Sequence, residues 1–257
     1  MAVAFRSAGT PTSSVGQASY SVGKPSGTVE GDYLIAFLHD QIATATVDWT
    51  PPAGWTKIGP DFTAASSQQR VTSMFAKFAG ASEPSSYTFT TPGTDITGRV
   101  VAVIHAYSGV DTTTPVRSSS GFTSIHGGSS ASLAVAAFPG AANSYAVEMW
   151  AANFASPNSY SLVSDDGGLT LQSEVFRSAG ATQNPPSEDT TVSRTALRVW
   201  GGMMAGDGVP AHTITTAGAA AQGCAASVAL NAATVTSPTT APVITGHLLD
   251  SHDSPTE

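Results

Sequence analysis

The chain has 257 residues, a formal net charge of −8 and only 11% charged residues, while 40 Ala, 33 Ser and 32 Thr make up about two in five. Ten Lys and Arg against eighteen Asp and Glu exclude a nucleic-acid binder, which must neutralise phosphates, and the absence of Leu/Glu/Lys/Arg runs excludes a coiled coil or helical bundle. No stretch approaches the ~18 consecutive apolar residues of a membrane span, and 41% hydrophobic content with four Trp argues against disorder throughout.

Taken in chain order, the sequence reads as short strands between turn signals. Met1 to Arg6 lacks the basic start and apolar core of a secretory signal, which predicts synthesis in the cytosol. Ala18 to Val22 alternates weakly. Gly31-Asp32 opens Tyr33-Leu34-Ile35-Ala36-Phe37-Leu38, a continuous apolar run that predicts a strand buried on both faces. Pro51-Pro52-Ala53-Gly54 is a turn, because proline fixes φ and glycine permits positive φ; Trp55 follows it directly. Arg70 to Ala79 alternates imperfectly, with Val71, Ser73, Phe75, Lys77 and Ala79 on one face. Tyr87 to Thr90 alternates cleanly, and Gly98 to Tyr107 is the strongest strand, rich in β-branched residues. Ser108-Gly109-Val110-Asp111 ends it, and Ser118 to Ser130 reads as a Ser/Gly-rich loop. Further strands are predicted at Leu133 to Phe138, Ser144 to Ala152, Leu169 to Phe176, Thr195 to Met204, His212 to Thr216 and Cys224 to Leu230. Ala217 to Ala221 is too short for an independent helix and reads as a loop or edge segment, with a single helical turn as the alternative. Around ten or more strands with no convincing helix predict an all-β fold: a two-sheet antiparallel β-sandwich, jelly-roll-like, with an extended C-terminal tail.

The boundary falls after the last strand. Residues 1–234 are the sandwich domain, and residues 235–257 are a Thr/Pro-rich linker and tail with an acidic end. Within that tail, Val243, Ile244, Leu248 and Leu249 are the candidate partner contacts, apolar side chains for docking on a neighbouring subunit; a frayed terminus is the plainer alternative.

Four spaced signals carry a resemblance. They are Gly31-Asp32-Tyr33-Leu34-Ile35-Ala36, then Pro51-Pro52-Ala53-Gly54-Trp55-Thr56, then Ala79-Gly80-Ala81-Ser82-Glu83-Pro84 with Tyr87-Thr88-Phe89, and finally Tyr107-Ser108-Gly109-Val110-Asp111 with Pro115. This order resembles a β-sandwich domain of virion proteins from tailed phages of actinobacteria, of the minor tail protein and head-decoration type. The resemblance spans roughly residues 28–120. It implies a bacteriophage structural protein, located in the virion, assembled in the host cytoplasm and released by lysis. Its implied partners are other virion proteins and further copies of itself. The motifs read as architecture, and no catalytic residue carries over from the resemblance.

The constellations that would make an enzyme are missing or incomplete. There is no Gly-x-Ser-x-Gly elbow and no Gly-rich phosphate loop before a helix. The single cysteine, Cys224, lies among Ala and Gly and reads as a buried small apolar residue; alone it makes no intramolecular disulfide. His39-Asp40 reads as a loop-edge pair, and His105 as a hydrogen-bonded core or subunit-contact histidine. His247 and His252, with Asp250 and Asp253, read as a solvated acidic tail rather than a metal site. Asp165-Asp166-Gly167-Gly168 lacks the further ligands of a calcium loop and reads as a hairpin turn. Glu148 and Glu174 are the only strand carboxylates worth weighing as a glycosidase pair, and exposed strand faces commonly carry such residues. The expectation is therefore no enzyme, no cofactor and no metal.

Two functional classes remain. One is a virion structural protein: a minor tail protein, with capsid decoration as the alternative location and a homo-oligomer as the expected assembly. Its Ser118–Ser130 and Gln183–Asp189 segments would face solvent or partners. The other is a carbohydrate-binding adhesin for a host surface polysaccharide, which would stack aromatic side chains on sugar rings. Trp49 and Tyr160, near loops, are its candidate glycan contacts, whereas Trp150 and Trp200 sit in strands and are read as core.

Overall fold

The computed structural model describes residues 1–15, 17–42, 49–59, 62–64, 69–91, 99–119, 123–125, 132–154, 161–164, 168–178, 194–204, 208–217 and 220–234. The first half of the chain supplies β1 (Ala4–Ala8), β2 (Thr12–Val15), β3 (Ser19–Gly23), β4 (Tyr33–Ile42), β5 (Thr56–Lys57), β6 (Phe62–Ala64), β7 (Gln69–Phe78), β8 (Ser86–Thr90) and β9 (Arg99–Ser108). The second half supplies β10 (Val116–Ser119), β11 (Thr123–Ile125), β12 (Ser132–Val135), β13 (Phe138–Pro139), β14 (Tyr145–Phe154), β15 (Ser161–Ser164), β16 (Thr170–Ser178), β17 (Arg194–Met203), β18 (Gly208–Val209), β19 (His212–Ala217) and β20 (Ala220–Leu230). Among the described residues there is no helix, and so none long and apolar enough to cross a membrane.

Each half builds its own antiparallel sheet. The first runs β1-β9-β4-β7-β5, with β2 also on β9 and β6 also on β7; the second runs β10-β20-β14-β17-β16, with β11 also on β20. The inner faces of the two sheets meet in one core, which mixes Ile35, Phe37, Met74, Val103 and Tyr107 with Val147, Met149, Leu197, Val199 and Val228. Each outer face is then covered. The β3–β8 ribbon with Trp49 and Trp55 closes the first, over Leu34, Ala36, Leu38 and Ile104. The β12-β19-β15 sheet and the β13–β18 ribbon close the second, over Trp150, Ala152, Trp200 and Ala225. Strand β4 is therefore buried on both faces, which is why its sequence is continuously apolar rather than alternating.

The two sheets follow one plan. In each, a long central strand (β4 or β14) lies between the closing strand of its half (β9 or β20) and a second long neighbour (β7 or β17). Two short strands pair with the closing strand in each half: β1 and β2 on β9, β10 and β11 on β20. The registers make positions equivalent. Tyr33 pairs with Tyr107 as Tyr145 pairs with Leu230, and Tyr20-x-Val22 on β3 corresponds to Leu133-x-Val135 on β12. One hydrogen bond repeats: Ala79 N–H donates to the Asp32 carbonyl at 2.8 Å, and Met204 N–H donates to the Ser144 carbonyl at 2.9 Å. The turn before each central strand also repeats, with Gly31 at φ +85° and Asn143 at φ +72°, a region that suits glycine and asparagine.

A short clasp joins the halves at one end. Asp111 N–H donates to the Asn231 carbonyl at 2.9 Å, Ala233 N–H to the Gly109 carbonyl at 2.8 Å, and the residue 1 ammonium to the Ala233 carbonyl at 2.9 Å. Gly109 is at φ +73°, and a Cβ there would strike the Ala2 carbonyl, so this exit from β9 accepts only glycine.

The structure corrects three local expectations. The Ser118–Ser130 segment holds β11 and the last two residues of β10, both paired with β20, so it is not simply a loop. The Leu133–Phe138 segment splits at Ala136-Ala137 into β12 and β13, which join different sheets. Asp165-Asp166-Gly167-Gly168 does not close a hairpin, because β15 pairs with β19 whereas β16 pairs with β17; residues 165–167 themselves lie outside the described residues. Residues 183–189 and the proposed tail, 235–257, also lie outside them.

Candidate functional site

The four spaced motifs each place a side chain or a turn with a defined structural task. In the first, Asp32 is 2% exposed and takes Arg6 in a two-pronged pair, Nη2 to Oδ1 at 2.9 Å and Nε to Oδ2 at 2.6 Å; Val29 N–H also donates to it. In the second, Trp55 N–H donates to the Pro52 carbonyl at 3.3 Å, and the indole packs edge-on against Tyr87 and Phe89, with centroids 5.0 and 5.4 Å away. In the third, the Glu83 carboxylate takes hydrogen bonds from Lys77 Nζ, Gly80 N–H and Tyr87 Oη at 2.9, 2.6 and 2.7 Å. Burial disfavours its charge, but these donors outweigh it and hold the carboxyl below its usual range. In the fourth, Asp111 Oδ1 accepts from Thr113 and Thr114 N–H at 2.9 and 2.8 Å, closing the turn after β9.

Polar groups also meet between the two sheets. His105 Nε2 lies 2.6 Å from Ser173 Oγ, and its Nδ1 lies 3.1 Å from Tyr107 Oη and 3.3 Å from Gln172 Oε1. Tyr107 Oη donates to Gln172 Oε1 at 2.8 Å, and Gln172 Nε2 donates to Tyr145 Oη at 2.6 Å. This network joins β9 to β16 and β14, and it makes His105 a hydrogen-bonded core histidine. Cys224 is buried and bonds Thr72 Oγ1 at 3.3 Å across the same core.

The catalytic candidates do not assemble. His39 and Asp40 lie inside β4 and are buried, with His39 Nδ1 2.6 Å from Thr72 Oγ1, so they are not a loop-edge pair. Glu148 is buried rather than on an exposed face: its carboxylate takes Ser227 Oγ at 3.0 Å and faces His212 Nε2 at 3.0 Å. Glu174 instead pairs with Arg198 on the neighbouring strand. Glu148 and Glu174 stand two strands and two residues apart, about 12 Å between Cα atoms at ordinary sheet spacings, and each has its own partner. Among the described residues no group of three or more His, Cys, Asp or Glu could hold a metal ion.

The glycan candidates fare differently. Trp49 is 4% exposed, packed edge-on to Tyr20 with centroids 6.0 Å apart, so it is core and offers no stacking platform. It lies near a loop in sequence, but the β3–β8 layer needs its area to close the first sheet's outer core. Tyr160, Val243, Ile244, Leu248 and Leu249 lie outside the described residues. Trp150 and Trp200 are core, as their strand positions imply. Concavities on the described surface include the following two. One, about 440 Å³, is lined by Arg117, Asn143, Asn231 and small residues; the other, about 450 Å³, is an apolar hollow along Phe138, Pro139, Val209 and Pro210. The large apolar side chains left exposed include Leu171 and Met203, on the paired strands β16 and β17.

Sequence reasoning missed the Glu148–His212–Ser227 contact. Its one signal was a carboxylate in the otherwise apolar run Tyr-Ala-Val-Glu-Met-Trp. No known protein family matches this chain, and neither a curated protein nor a solved structure matches it.

Proposed function

We propose that this chain is a non-enzymatic structural protein of a tailed-phage virion, a minor tail protein that assembles through sandwich-to-sandwich contacts. The observation that carries the reading is the ordered set of four motifs in residues 28–120. What supports it further is that each motif serves architecture: a paired Asp32, a Trp55 lid, a Glu83 corner and an Asp111 turn. Buried Glu148 and His212 engage one another, Asp32 engages Arg6, and His39 and His105 engage neighbouring side-chain hydroxyls. In this reading the sandwich is jelly-roll-like, residues 235–257 are a strap to a neighbouring subunit, and the protein is a homo-oligomer. The exposed Leu171 and Met203 are where apolar burial between copies would begin.

Immunogold electron microscopy of the encoding virion, with antibody to the folded domain, tests the proposal. Label along the tail or at its tip is the expected result. Label spread over the head would move the protein to capsid decoration. Intact particles without label would overturn the virion assignment.

A further inference from the structure

The repeat between the halves singles out one cluster. The positions equivalent to Glu148, Ser227 and His212 in the first half are Ala36, Ile104 and Tyr87. There Ala36 and Ile104 sit in an apolar layer. In the second half the same layer holds a carboxylate and a hydroxyl, each 2% exposed, and an imidazole, 8% exposed. The fold does not require the carboxylate and the hydroxyl at the two sheet positions, since its other half closes with Ala36 and Ile104 there.

The hydrogen bonds around His212 and Glu148 call for one proton between them. His212 Nδ1 lies 3.1 Å from the Pro210 carbonyl, which only accepts, so Nδ1 carries hydrogen. His212 Nε2 lies 3.0 Å from Glu148 Oε1, and Ser227 Oγ donates to Oε2. Either Nε2–H donates to a carboxylate or a carboxyl donates to Nε2; both arrangements hold one proton on that line. Without it, an acceptor faces an acceptor at Glu148 or, after a tautomer change, at Pro210. Among the described residues, the other charged positions on this face of the sheet are Arg198 and Arg194 of β17 and Glu174 of β16; Glu174 pairs with Arg198, and Arg194 stands opposite Phe154, six residues along β14 from Glu148. Opposite Glu148 on β17 stands Trp200, and opposite His212 on β12 stands Val135. Strands β12, β13, β15 and β18 contribute no ionisable side chain, and Arg117 of β10 lines a separate cleft.

We propose that the proton shared by His212 and Glu148 is a clamp that holds the β12-β19-β15 sheet on the second main sheet, so that this outer layer loosens as pH rises. In the unfolded chain, His titrates near ~6.5 and Glu near ~4.3. Between those values the folded and unfolded pair hold the same number of protons. Above ~6.5 the unfolded pair holds one fewer, so stability falls as pH rises, the unfolding constant growing tenfold per unit until the folded pair lets go.

Glu148→Gln separates this from simple packing. The amide keeps the shape, accepts from Ser227 and donates to a neutral His212 Nε2, so the folded variant needs no shared proton. The test is urea unfolding of the full chain, wild type against E148Q, from pH 5 to pH 8. The expected result is a wild-type to variant ratio of unfolding constants that rises about tenfold per pH unit throughout. A ratio independent of pH would overturn the clamp. Histidine-ring ¹⁵N NMR of the wild type at pH 8 gives a second reading that does not depend on the variant folding. A protonated or proton-sharing Nε2 at His212 supports the clamp, and a bare Nε2 overturns it.

Discussion

His105 sits between two sheets where no solvent stabilises a charge, and burial pushes its pKa down to about 3, with the bond to Gln172 opposing only part of the shift. The folded chain therefore keeps this ring neutral while the unfolded chain protonates it below ~6.5. Stability falls as pH drops from ~6.5 toward 3, by up to ~1.4 kcal/mol per unit. His105→Gln is expected to flatten that acid limb in urea unfolding at pH 6.5 and 4.5; equal slopes would assign the limb to other groups. Trp55→Ala is expected to cost ~3–5 kcal/mol, since it removes an indole packed edge-on against two rings; a loss under ~1 kcal/mol would place that ring outside the core. The sequence placed Trp55 directly after a turn, but did not reveal that its Nε1, like that of Trp49, is buried without a hydrogen-bond partner. Residue type reveals what a side chain prefers to bury. It does not reveal which polar atom the surrounding strands leave unmatched.

Elements of eight or more residues were legible because their own patterns carry them. Strands β4, β7 and β9 follow the apolar run, the alternation and the β-branched stretch that predict them, and β7 divides its faces as expected, Val71 and Phe75 outward, Met74 and Ala76 inward. The pieces that escaped, β1, β2, β5, β6, β10, β11, β15 and β18, are polar or mixed segments of two to five residues. Their conformation comes from the strand they pair with, so no local period marks them. The turns before β4 and β14 give a test at this scale. Gly31→Ala is expected to cost about 1–2 kcal/mol through backbone strain alone, because φ is +85° and nothing lies within 4 Å of the added Cβ. Asn143→Gly should be tolerated, and Asn143→Ala should cost a similar amount. Urea midpoints of the three variants check the pair; an undisturbed Gly31→Ala would mean that this turn relaxes.

At the scale of the molecule, the repeat was not legible because the equivalent positions share character rather than identity: Leu133 for Tyr20, Leu230 for Tyr107, Asn143 for Gly31. What repeats is a hydrogen-bonding plan, and each half lends one wall to the central core. Residues 1–115 expressed alone would bare Ile35, Phe37, Met74, Val101 and Tyr107. At ~1.5–3 kcal/mol for each large side chain returned to water, this half is expected to unfold or to pair with a second copy of itself. Sedimentation equilibrium with circular dichroism checks this, and a stable folded monomer would contradict the shared core. The clasp carries a different consequence. Because residue 1 is hydrogen-bonded to residue 233, the first and last described stretches of the sandwich lie side by side at one spot. A body threaded in that way can be spliced into a surface loop of a host chain without prising apart the two stems of that loop.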